Sequence, residues 1–205
     1  MVARPEGVKN VPAAGVAIML AVAQSASAQG LDELRKLYDA GQYQQVVGAP
    51  ADDPRVAYLV GLSQQKLGHR DEARQAYERL AARGEDDPWL GIGQSAIALL
   101  AANGGEAMEA ANQAVARGDS VPEAHLQRGL ALTVRQDMAG ASAAFEKAAE
   151  LDPSWADAHY YAGLAYSKIK RIDLMAGHFD TFMKLAPQSP QRPEVQSIMR
   201  TLGAK

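Results

Sequence analysis

Residues 122–155 read PEAHLQRGLALTVRQDMAGASAAFEKAAELDPSW, and residues 156–189 read ADAHYYAGLAYSKIKRIDLMAGHFDTFMKLAPQS. Laid one over the other, His125 falls on His159, Gly129 on Gly163, Phe145 on Phe179 and Pro153 on Pro187, each pair 34 residues apart. Residue types shared at one fixed period mark a stack of identical helical units, each unable to bury its apolar face alone. Carried backwards, the frame takes Pro122 to Pro88 and Pro54, Ala141 to Ala107 and Ala73, and Gly129 to Ser95 and Gly61. The chain therefore reads as units 54–87, 88–121, 122–155 and 156–189.

Inside a unit the apolar residues recur at helical spacing, as Val56, Leu59, Val60, Ser63 and Leu67 do in the first. That spacing predicts an amphipathic helix A, and a second stripe predicts a helix B. Asp52-Asp53-Pro54 and Asp86-Asp87-Pro88 open the first two units with an acidic cap and a proline at the first helical position. Gly61, Ser95, Gly129 and Gly163 leave room for helix B to approach helix A. The second unit is alanine-rich, and Asn103-Gly104-Gly105 predicts a looser turn and the most mobile part of the array.

The series His125, Gly129, Ala141, Phe145, Ala148, Pro153, with its echo His159, Gly163, Tyr166, Met175, Phe179, Phe182, Pro187, resembles the tetratricopeptide repeat. Gly61, Gly68, Ala73 and Tyr77 carry the pattern in the first unit, and Ser95, Ala107, Ala111 and Ala114 carry it more weakly in the second. Leu80, Met175 and Phe182 stand where the family has small residues, so wider helix spacing is expected there. The resemblance implies an all-α fold, a right-handed α-solenoid of helix-turn-helix units, and action by binding another protein. It also implies a concave groove lined by the A helices. By position, that stripe holds Tyr58, Leu62, Gln65, Ile92, Leu99, Leu126, Leu130, Thr133, Tyr160, Leu164 and Ser167. The leucines could equally pack between helices, whereas Tyr58 and Tyr160, with polar tips, are expected on a half-exposed binding surface. Few charges fall on the stripe, so an apolar helix or extended peptide is the expected ligand.

Outside the units, residues 1–28 have the layout of a secretory signal peptide: Arg4 and Lys9, the apolar run Val11–Ala23, then Ala26-Ser27-Ala28 before Gln29. Export with cleavage, and a mature protein without a stable membrane anchor in the periplasm, is the expectation. The lack of cysteine suits a bacterial periplasm better than a disulfide-rich secretory route. Residues 29–53 read as a truncated first repeat, since Gly41-Gln42-Tyr43 resembles the turn between helices A and B. Residues 190–205 read as a capping helix, with Val195, Ile198, Met199 and Leu202 on one face and Glu194, Gln196 and Arg200 outside.

No chemistry-bearing set emerges. The net charge of −3 gives no electrostatic reason to bind nucleic acid. No phosphate loop, HExxH helix, nucleophile elbow or EF-hand loop is present, so no catalytic residue, cofactor or metal ligand is assigned. His125 and His159 share one repeat position, roughly 10 Å apart in a stacked array, and are expected to pack. His69 and His178 are expected in solvent. The carboxylates at Asp71-Glu72, Glu85-Asp86-Asp87 and Glu146/Glu150 are expected at turns, caps and exposed faces. Two further classes stay open: a self-associating homo-oligomer, and a metal or cofactor carrier built on His125 and His159.

Overall fold

The computed structural model describes residues 30–203, and every regular element among them is an α-helix. In chain order these are α1 (30–39), α2 (Tyr43–Val46), α3 (Pro54–Leu67), α4 (Arg70–Ala81), α5 (Pro88–Leu100), α6 (Gly104–Arg117), α7 (Pro122–Val134), α8 (Met138–Leu151), α9 (Ala156–Lys168), α10 (Ile172–Leu185) and α11 (Arg192–Gly203). From α3 to α10 each helix packs on the next, so α3, α5, α7 and α9 are the A helices and α4, α6, α8 and α10 the B helices. The proposed leader, residues 1–28, lies outside the described residues.

Local chemistry sets the ends of these helices. Asp53 accepts from the Arg55 backbone N–H at 2.8 Å and Asp87 from that of Trp89 at 2.9 Å, each just ahead of a proline that needs no partner. Asn103 and Asp137 cap α6 and α8 in the same way, accepting from Glu106 and Gly140. Each such cap is worth about 1 kcal/mol. Asn103 thus gives the Asn103-Gly104-Gly105 turn a defined hydrogen-bonded start.

The turns from helix A to helix B repeat as strictly as the helices. Gly68, Ala102, Gln136 and Lys170 all have positive φ, of 80°, 55°, 64° and 59°. The next N–H in each case reaches back six residues inclusive, from His69 to Gln64, Asn103 to Ala98, Asp137 to Leu132 and Arg171 to Tyr166, at 2.9–3.0 Å. These are Schellman closures. Gly41, with φ 76°, makes the same closure through Gln42 and Leu37. The short α1–α2 pair therefore turns as a repeat does.

The small positions do the packing work expected of them. A Cβ added to Gly61, Gly129 or Gly163 would lie 2.3–2.4 Å from the ring of Tyr77, Phe145 or Phe179. In the second unit the ring is missing, because Ala111 occupies that position, and Gly91 supplies the close approach. A Cβ there would meet the Ala110 carbonyl oxygen at 2.6 Å. The bulky departures Leu80, Met175 and Phe182 are all buried in the core.

Helix α1 does more than open the stack. The Arg35 guanidinium meets the Asp152 carboxylate at 2.6 Å and lies 3.7 Å from that of Glu123, with its plane over the Trp155 ring. The Tyr38 hydroxyl donates to buried Asp157 at 2.9 Å. Gly41 touches the ring of Pro190. The N-terminal segment thus crosses from the first unit to the loop before α9 and to the start of α11.

Candidate binding groove

The interior of the solenoid divides along the length of the A helices. Near their N-terminal ends it is filled. Tyr58 lies within ring-contact distance of Tyr77, Trp89 and Trp155, with centroids 6.0–6.4 Å apart, and its hydroxyl accepts a 2.6 Å hydrogen bond from Gln127 two units away. It is 2% exposed, and Ile92 and Leu126 are fully buried. Tyr160 is 7% exposed, packed on Tyr161 and Phe182, and its hydroxyl donates to Glu194 of α11 at 2.7 Å. These four residues belong to the core. The expectation that Tyr58 and Tyr160 sit half-exposed is corrected: the superhelix is narrow enough for side chains of the first and third units to touch, and α11 closes over Tyr160.

Towards the C-terminal ends of the same helices the interior is open. One cavity of about 340 Å³ is lined by Leu62, Gln65, Lys66, Ala96, Leu99, Gln127, Leu130, Thr133, Val134 and Tyr161. A second, of about 520 Å³, runs on from Leu130, Thr133 and Tyr161 past Leu164 and Ser167 to Ile198 and Leu202 of α11. The shared residues make one continuous groove. It takes in Leu62, Gln65, Leu99, Leu130, Thr133, Leu164 and Ser167 from the stripe assigned by sequence, and leaves out Tyr58, Ile92, Leu126 and Tyr160. Among the described residues Val134, at 45% exposure, is the most exposed large apolar side chain.

Several residues of the site are not marked by the sequence pattern. Tyr161 stacks on Phe145, with centroids 5.4 Å apart, and forms the floor between the two cavities. Its neighbour Tyr160 holds the family position, so nothing in the repeat pattern singles it out. Glu123 and Asp157 read as acids in the first turns of α7 and α9, where the helix dipole favours them, yet they are 3% and 4% exposed. Burial pushes both carboxyls above the usual carboxylate range, and pushes Asp39 of α1, facing Asp157, up to about 7 against the pull of Arg35. Their partners, Arg35 and Tyr38, lie more than eighty residues away, out of reach of any local reading.

Of the histidines, His178 differs from expectation. His125 and His159 each place Nε2 against the backbone carbonyl six residues earlier, Asp119 at 2.8 Å and Pro153 at 3.1 Å. The position closes the loop that precedes helix A. His178, expected in solvent, is half-buried between His159 and the Tyr166 ring.

A family model described as Tetratricopeptide repeat matches residues 55–83, the first unit. The structure of TTC0263, a thermophilic TPR protein of Thermus thermophilus, superposes with a TM-score of 0.60 at 19% identity, covering 84% of this chain and 98% of that one. YrrB, described as a TPR protein with an unusual peptide-binding site, superposes with a TM-score of 0.52 at 19% identity, covering 84% of this chain and 86% of that one. No curated protein matches the chain in sequence. Residues 55–83 thus match the tetratricopeptide repeat, and the helical stack as a whole has the fold of a right-handed α-solenoid.

Proposed function

We propose that this chain is an exported protein–protein interaction module, an adaptor or assembly factor, that takes an apolar helix or peptide segment of a partner into the open half of its groove. The observation that carries this reading is the continuity of the groove. Five helices (α3, α5, α7, α9 and α11) present Leu62, Leu99, Leu130, Leu164, Ile198 and Leu202 along one channel with few charges. A preformed apolar channel binds at small ordering cost, and its side-chain spacing selects the ligand. YrrB, of the same fold, is described by a peptide-binding site, which agrees with this use of the solenoid. The leader-like layout of residues 1–28 and the lack of cysteine support work in a bacterial periplasm. Among the described residues no helix is long and apolar enough to cross a membrane.

The test is capture of partners from envelope extract by the wild-type protein and by a Thr133→Glu/Val134→Glu variant. Both residues are exposed at the end of α7, so the variant keeps its fold while placing two charges in the groove. A partner held by the wild type and lost by the variant supports the reading. A partner held equally by both sinks the groove assignment. Tyr58→Ala with Tyr160→Ala is unsuitable as a binding probe, because removing two buried rings costs about 3–5 kcal/mol each and unfolds the array.

A further inference from the structure

The fourth unit holds a pair of side chains that the groove does not use. His159 of α9 and His178 of α10 face each other with their Nδ1 atoms 3.1 Å apart, and both rings are half-buried. The Pro153 carbonyl can only accept, so the His159 Nε2 facing it at 3.1 Å carries the proton. Burial disfavours the charged form of both rings. A neutral His159 with its proton on Nε2 has a bare lone pair on Nδ1, aimed at His178. His178 is held from its other side by the Tyr166 ring, stacked at 5.6 Å, and Tyr166 is anchored in turn by its hydroxyl bond to Glu146 of α8.

We propose that His159 and His178 bind a divalent transition-metal ion of the zinc type, with both Nδ1 atoms as ligands and the other positions open to water or to a partner's side chain. Two nitrogens at about 2.0–2.1 Å on a tetrahedral ion stand about 3.3–3.4 Å apart. The pair is within a few tenths of an ångström of that separation, a gap closed by a small turn of either ring. The arrangement around His159 is the one that supports metal-bound imidazole elsewhere: the ring N–H away from the metal donates to a backbone carbonyl, fixing tautomer and orientation. His178 would give up the Nδ1 proton it now shares with His159 and carry it on Nε2 instead.

The repeat supplies an internal contrast. His125 holds the equivalent place in the third unit and makes the equivalent carbonyl bond, but the position matching His178 is Ala144. The loop-closing histidine therefore recurs, whereas the converging pair belongs to the fourth unit. Among the described residues no group of three or more His, Cys, Asp or Glu is placed to hold a metal. The site is thus a two-ligand, half-open one, suited to an imidazole-preferring ion and not to calcium or magnesium.

The test uses the untagged full chain, stripped of metal and titrated with Zn2+ by calorimetry. One equivalent should bind with a Kd of about 10 µM or tighter. His159→Gln and His178→Gln should each weaken binding by about tenfold or more, and His69→Gln, at an exposed turn, should leave it unchanged. Should either glutamine variant lose its helical circular dichroism, nitrogen-detected imidazole spectra of the wild type decide instead, with Zn2+ shifting Nδ1 of His159 and His178 alone. The proposal is overturned by absence of binding up to about 100 µM Zn2+, by undiminished binding in folded His159→Gln and His178→Gln, or by shifts confined to His69 or His125.

Discussion

Replacing Ala102, Gln136 and Lys170 by glycine should stabilise the solenoid, although glycine ordinarily weakens helical proteins. The three residues occupy the turn position where Gly68 stands in the first unit, and all have φ between 55° and 64°. An L-residue held in the left-handed region costs about 1–2 kcal/mol, and the greater freedom of glycine in the unfolded chain returns about 0.5–1 kcal/mol of that. The net gain is about 0.5–1 kcal/mol per turn. The turns lie in separate units and share no partner, so their effects should add to about 2 kcal/mol. Ala102→Gly is the cleanest of the three, because no side-chain contact is lost with it. For a domain of this size the triple variant should melt about 4–8 °C higher. The urea midpoint at 222 nm should rise with an unchanged slope. Gly68→Ala is the mirror test and should cost about 1 kcal/mol. A triple variant no more stable than the wild type, or a neutral Gly68→Ala, would refute the claim that these turns are strained by their side chains.

Two other outcomes follow from packing and charge. Gly129→Ala puts a Cβ about where the Phe145 ring lies, 2.4 Å from its nearest atom, and should destabilise by about 1–3 kcal/mol despite the better helix propensity of alanine. Phe145→Leu in the same chain should recover much of that loss in a thermal melt, because it clears the space. Asp39→Asn concerns the seat of α1. Burial and the facing Asp157 raise the Asp39 pKa from 3.8 to about 7, so the contribution of Asp39 to stability falls as pH climbs between about 4 and 7 and is flat above that. The asparagine variant lacks this penalty. It should match the wild type near pH 4 and exceed it by on the order of 1 kcal/mol at pH 8, measured by urea titration at the two values.

The solenoid is legible in the sequence because its signals are local and repeated. Proline after aspartate fixes the start of the A helix in the first two units, and in the first, third and fourth a glycine opposite an aromatic sixteen residues on fixes the approach of helix B. The groove is legible only in part. Repeat position tells which side of helix A faces inward, and Leu62, Leu130 and Leu164 on that side lie along the open cavities. It does not tell how far along the helix the inside stays open. Tyr58 and Tyr160 lie one turn nearer the N-terminus than Leu62 and Leu164, and there the distant residues Gln127, Trp155 and Glu194 reach them. Asp157 illustrates the same limit from the polar side. Its place in a first helical turn explains an acid, while its burial depends on Tyr38, 119 residues earlier. His178 is hidden for a comparable reason, since no pattern places a B-helix histidine against an A-helix one in a single unit.

The reach of α1 changes what kind of object the array is under stress. A row of repeats bound only to its neighbours has two free ends, and the easiest way to lose structure is to peel units away from one of them. Here Arg35 and Tyr38 fasten the beginning of the row to Asp152 and Asp157 beside the last unit. An unwinding fourth unit must release the Tyr38–Asp157 bond before it leaves, and an opening segment that departs breaks both bonds. The row behaves as a loop shut with a clasp, so its parts should stand or fall together, and cutting away α1 should turn one unfolding step into several.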